Sequence, residues 1–252
     1  MEWKRDVKYV IPSNELLHLK KLVRIKVNHC GNLEEVFEVE DAMEEGLGLE
    51  LLFREEEEEE EEVVAMKGIN SDLVKSQTVV EIPNLMHVEL QYLDSLKYIS
   101  RSNRHGILLK FPNLTTLSIH GCISLEHVFT SSMVGSLQQL QHLHISYCQK
   151  MEVIVRVEEE EFEYDVTVKE IECLMPIRLE KLKALEGFCL GEDNFSLPSL
   201  ETLEIKECPK ITIFSKAHVA TPTLNVIDTS FGSCYITEDI NHFIKTKRDE
   251  VT

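Results

Sequence analysis

Four histidines and seven cysteines hold most of this chain's potential for chemistry. His87, His120, His142 and His144 could ligate a transition metal, or titrate together near neutrality, because imidazole does both. A metal would need carboxylate or thiolate partners at ligand spacing, and none joins these histidines. No CxxC pair exists, so the cysteines give a zinc site no support either. Hydroxyls and imidazoles are scattered, without the strained turn that presents a serine nucleophile. Gly46-Leu-Gly48-Leu has half of a glycine-rich phosphate loop but lacks the third glycine, the lysine and a preceding strand. The expectation is a chain with no catalytic residue, no metal and no cofactor.

The elements that carry these residues are legible in the stretch from Phe111 to Phe129. Its apolar residues stand at Leu114, Leu117, Ile119, Cys122, Leu125 and Val128. The steps between them fit neither a helix of period 3.6 nor a plain strand of period 2. The one two-residue step marks a short strand with Leu117 and Ile119 on the same side. The three-residue steps fit a chain that turns a corner into a shared core. The same six positions recur from Leu22, Leu85, Leu140, Leu174 and Leu200, with a weaker copy from Leu224. In six copies all thirty-six positions are apolar or Cys, in a chain that is 43% apolar. Successive copies start 63, 29, 26, 34, 26 and 24 residues apart, and all but the first interval suit a leucine-rich repeat. The expected fold is an α/β leucine-rich repeat solenoid, a horseshoe of about seven repeats. Its parallel sheet lies on the concave face, with irregular turns and short helices on the convex side.

That fold gives the polar residues their place. In each strand the residues flanking and separating the two inward ones face the other way. Seven triplets result: Arg24/Lys26/Asn28, His87/Glu89/Gln91, Thr116/Ser118/His120, His142/His144/Ser146, Pro176/Arg178/Glu180, Thr202/Glu204/Lys206 and Val226/Asp228/Ser230. Strands stacked about 4.8 Å apart would align them in three columns. The binding candidates are therefore Arg24, Lys26, Asn28, His87, Glu89, Gln91, Ser118, His120, His142, His144, Arg178, Glu180, Glu204 and Lys206. The first strand is basic, the middle histidine-rich, the far end mixed in sign. Such a surface suits protein partners and offers no apolar groove for a small molecule.

Bulk composition narrows the partners. Asp and Glu outnumber Lys and Arg by 45 to 26, a net charge of −19 over 252 residues. That surface repels phosphate backbones and anionic lipid, so neither nucleic acid nor membrane is expected. No apolar run is long enough to span a bilayer, and the first residues lack a secretory signal. Cys30, Cys122, Cys148 and Cys208 hold the same repeat position as Leu93 and Leu182, so each thiol reads as a small apolar filler in a reducing, cytoplasmic setting. Asn113-Leu-Thr115 and Asn194-Phe-Ser196 match the glycosylation triplet and, without a secretory route, read as ordinary repeat residues.

The chain reads as a single repeat domain over 1–252. Trp3 stands where Phe37 and Phe129 close their repeats, so the start resembles one cut from a longer array. Ser13 and Ser131 read as helix caps. Prolines open several repeats, at the margin of the ladder where a missing donor does least harm. An acidic insertion over 38–80 contains Glu55 to Glu62, eight consecutive glutamates, and reads as a solvated, disordered loop. A smaller run covers Glu158 to Glu161 with Glu163. Residues 233–252 read as a C-terminal cap, with Thr237 capping a helix whose apolar face is Ile240, Phe243 and Ile244.

FPNLTTLSIHGCISLEHVF, LQQLQHLHISYCQKMEVIV and LPSLETLEIKECPKITIF resemble the repeats of plant intracellular disease-resistance receptors, which join a coiled coil, a nucleotide-binding domain and a leucine-rich repeat region. The resemblance covers most of Ile11 to Gly232. It implies cytoplasmic immune surveillance. The repeats would sense pathogen effectors or guarded host proteins and restrain the receptor's own nucleotide-binding domain. The nucleotide-binding signature GxxxxGK[ST] is missing from this chain, so the resemblance extends to the repeat region alone. Two other classes fit the residues: an intracellular scaffold or ubiquitin-ligase substrate adaptor, and a metal protein or enzyme built around the histidines.

Overall fold

The computed structural model describes residues 7–39, 78–101, 107–158, 168–236 and 238–247. Trp3, Thr237, most of the acidic insertion and Glu159 to Glu163 lie outside that set.

The apolar two-residue step becomes a strand in every repeat. These strands are β1 (Arg24–Asn28), β2 (His87–Gln91), β3 (Thr116–His120), β4 (His142–Ser146), β5 (Pro176–Glu180), β6 (Thr202–Lys206) and β7 (Val226–Thr229). They pair in parallel in chain order, and β8 (Gly232–Tyr235) closes the eight-stranded sheet antiparallel to β7. The register keeps like with like: Leu117 opposes Val88 and Leu143, and Ile119 opposes Leu90 and Ile145. Between β1 and β2 the register holds from Arg24 against His87 to Asn28 against Gln91, although paired positions are 63 residues apart in sequence. The chain is thus a parallel-sheet solenoid, as the repeat spacing requires.

Burial follows the spacing. All six repeat positions are buried in the second to sixth repeats. In the first, Leu22, Val27 and Cys30 are only half-buried against the core. Cys122, Cys148 and Cys208 are fully buried, and each sulfur lies within 3.8 Å of the carbonyl two residues before it. A small thiol thus fills the corner and donates weakly to a strand end, which leucine cannot do. Burial pushes the Cys122 and Cys208 thiols up to about 11 and Cys148 higher still, so all three stay protonated and unreactive.

The back of the coil differs from the expectation of short helices. It is built of short parallel strands in four smaller sheets, for example Phe129–Thr130 with Val153–Arg156 and Gly187–Cys189. Among the described residues the helices are a 3-10 turn at Ser13–His18, α1 (Ser131–Val134) and α2 (Ile240–Thr246). The reason is local. Val153-Ile-Val155, within the strand Val153–Arg156, is β-branched throughout, which favours a pleated surface.

The caps also differ. Thr130, not Ser131, stands at the N-cap of α1, and Pro12, not Ser13, at that of the 3-10 turn, neither with a side-chain cap bond. The Ser13 amide instead donates to Glu38. Asp239 caps α2, its carboxylate accepting the His242 amide at 2.8 Å. Ile240, Phe243 and Ile244 are buried, and the Asn241 side-chain oxygen accepts the amides of Phe214 and Ser215. The side chain after a repeat-opening proline is used in the stack: Asn113 donates to the Pro83 carbonyl and Thr223 to that of Pro198.

Candidate recognition surface

Because Leu117 and Ile119 point into the coil, Thr116, Ser118 and His120 must point out of it, and parallel pairing stacks them. The middle column runs Lys26, Glu89, Ser118, His144, Arg178, Glu204 and Asp228. The third runs Asn28, Gln91, His120, Ser146, Glu180 and Lys206. In the first, Arg24, His87, Thr116 and His142 are in register, as are Pro176, Thr202 and Val226. Ser230 lies just past the end of β7. Most of these side chains are half-buried; Arg24, Lys26, Asn28, His142, Arg178 and Ser230 are exposed, and Ser146 is buried.

Charge on this face is largely neutralised within it. Lys26 binds Glu89 at 2.9 Å, and Gln91 donates to the same carboxylate at 2.7 Å. Arg178 and Lys206 both pair with Glu204. In the middle, His120 Nδ1 is 2.8 Å from Ser146 Oγ. Burial, followed by the Arg178 guanidinium, lowers the His144 pKa, so that ring is neutral at pH 7. The four histidines are spread over three columns. Among the described residues no group of three or more His, Cys, Asp or Glu could hold a metal ion.

A fourth column escaped the sequence reading. The residue after each of the first six strands has a positive φ: His29 (55°), Tyr92 (52°), Gly121 (68°), Tyr147 (59°), Lys181 (56°) and Glu207 (52°). Each amide from His29 to Lys181 donates to the carbonyl that ends the next strand, at 2.9 to 3.0 Å. The left-handed turn aims that amide along the stack. Five non-glycine residues accept a conformation that costs roughly 1–2 kcal/mol each. The available signal was Gly121 in register with two tyrosines, directly before the corner Cys or Leu.

Stacked parallel strands with a repeating apolar corner and one polar face define a leucine-rich repeat solenoid, a class built to present surface to other proteins. The family model described as plant disease resistance protein RPS2-like, leucine-rich repeats, matches residues 48–149 and 131–226. The chain belongs to that family. No curated protein and no solved structure matches it.

Proposed function

We propose that this chain is the recognition module of a plant intracellular immune receptor. The open face of the sheet senses pathogen effectors or guarded host proteins and restrains the receptor's nucleotide-binding domain. It works in the cytoplasm by protein–protein contact, without catalysis. One observation supports this above others: three columns of polar side chains in register across the parallel strands, with their charges set out in internal pairs. A partner meeting such a face gains specificity by matching or replacing those pairs, because wrong charges placed opposite one another are penalised. Among the described residues no helix is long and apolar enough to cross a membrane.

The test replaces Arg24, Lys26, His144 and Arg178 together with Glu. The new carboxylates at positions 26 and 178 face Glu89 and Glu204, the present partners of Lys26 and Arg178. Co-precipitation with candidate effectors and with the nucleotide-binding domain should fall at least about tenfold, the equivalent of 1.4 kcal/mol. The far-UV circular dichroism should not change. Binding that persists unchanged moves the site to the loops or the ends of the coil.

A further inference from the structure

The left-handed column carries a continuous ladder of rings. His29 stacks on Tyr92 with centroids 4.7 Å apart and planes 10° apart. Gly121 then leaves room: a β-carbon there would come within 2.9 Å of the Tyr92 ring. His120, from the neighbouring column, lies between the two tyrosines, 5.0 Å from Tyr92 edge-on and 4.9 Å from Tyr147. Lys181 completes the row, its ammonium 4.6 Å above the Tyr147 ring and 2.5 Å from the phenol oxygen. Tyr92 is 45% and Tyr147 37% exposed, so part of each ring is open to a partner. Glycine would hold every one of these turns at lower backbone cost, and does so once. Five side chains are kept despite that cost, and they form one rim along the sheet.

The chemistry of the rim selects its partner. Tyrosine faces are electron-rich and attract cations, guanidinium most often. Lys181 shows the arrangement within the molecule: a cation rests on the ladder, held also by Glu180 at 3.4 Å and Glu207 at 3.7 Å. Lys26 and Lys206 are paired to glutamates, so they oppose an incoming positive charge weakly. The whole chain carries −19, a field that draws basic partners. We propose that this rim docks arginine side chains of a protein partner, the guanidinium groups lying against the parts of the Tyr92 and Tyr147 rings that His29 and Lys181 leave exposed, beside His120. This rests on the recognition reading above and names the chemistry of the partner at that face.

The test is a selection of displayed random twelve-residue peptides on the full chain. Peptides with arginine should be enriched over peptides with lysine, glutamate or aliphatic residues only. Chosen peptides are then synthesised and measured against three variants. Tyr92→Phe with Tyr147→Phe keeps both ring faces and should bind within about twofold. Tyr92→Leu with Tyr147→Leu keeps the apolar bulk without the rings and should bind about fivefold to tenfold more weakly, the range two ring–cation contacts supply. If the double leucine variant loses its circular dichroism, Tyr92→Leu alone gives the same comparison at about two- to threefold. Lys26→Glu with Arg178→Glu tests the columns separately. Selected peptides without arginine, or full binding by the leucine variants, would overturn the proposal. If the leucine variants bind fully and the charge reversal abolishes binding, the rim is wrong and the face still recognises partners. If no variant alters binding, both readings fail.

Discussion

At the scale of single residues, His127 makes the sharpest prediction. It is 2% exposed, and neither ring nitrogen has a hydrogen-bond partner among the described residues. Its ring packs against Tyr98 at 5.7 Å. Burial, reinforced by the Arg156 guanidinium, pushes its pKa down to about 4. An unfolded histidine titrates near 6.5. Between those values the unfolded chain binds the proton and the folded one does not. Stability is therefore unaffected above about pH 6.5, falls as the pH drops toward 4, and levels off below it. The loss over that window is about 3 kcal/mol. His127→Leu should flatten the pH dependence of the urea midpoint by that amount. At pH 7 it should be no less stable than the parent, since it removes two buried unpartnered nitrogens. Parallel pH curves for the two proteins would refute this. Nothing in the sequence marked this histidine out, because its burial is set by Tyr98 and by the chain around Arg156, roughly one repeat away on either side.

At the scale of elements, another column can be tested by charge. Backbone amides link Glu34, Lys97, Glu126, Glu152, Glu186 and Thr212 in succession, one residue per repeat. Lys97 meets Glu34 at 3.2 Å and Arg156 meets Glu126 at 3.7 Å. Glu126, Glu152 and Glu186 nevertheless stand next to one another, like charges about one strand spacing apart. Glu152→Lys converts two repulsions into two attractions. It should stabilise the protein by about 0.5–1 kcal/mol in low salt and by nearly nothing in 1 M salt, where charges are screened within about 3 Å. A denaturant midpoint that does not move in low salt would show the column to be fully solvated. The inward positions were readable from the sequence because burial demands apolar side chains at fixed steps: Leu117, Ile119 and Cys122 could hardly be otherwise. The outward columns followed by alternation. The strands of the back were not readable, since two- and three-residue runs such as Phe129–Thr130 carry no period of their own. The left-handed column was hidden because side-chain type hardly marks it. Histidine, tyrosine, glycine, lysine and glutamate all take the same φ, which the amide-to-carbonyl bond of the next repeat imposes.

At the scale of the whole molecule, the question is whether the coil unfolds as one body or repeat by repeat. A stack in which each repeat touches only its neighbours has stability made of local and nearest-neighbour parts. The first repeat has one described neighbour along the sheet, and its Leu22, Val27 and Cys30 are half-buried. The fourth lies between two complete repeats, with Leu143 1% exposed and Ile145 fully buried. Amide exchange should therefore be slowest in β3, β4 and β5, which pair on both sides, and faster in β1, which pairs only with β2 among the described residues. Two truncations separate the mechanisms. Leu143→Ala should cost about 2–5 kcal/mol and raise exchange most in β3, β4 and β5. Val27→Ala removes less buried surface and should raise exchange in β1 alone, because β2 keeps its contacts with β3. If Leu143→Ala instead raises exchange equally from β1 to β7, the coil is one cooperative unit. Its ends would then be as stable as its centre, and a partner bound at the middle of the open face would stabilise both ends equally.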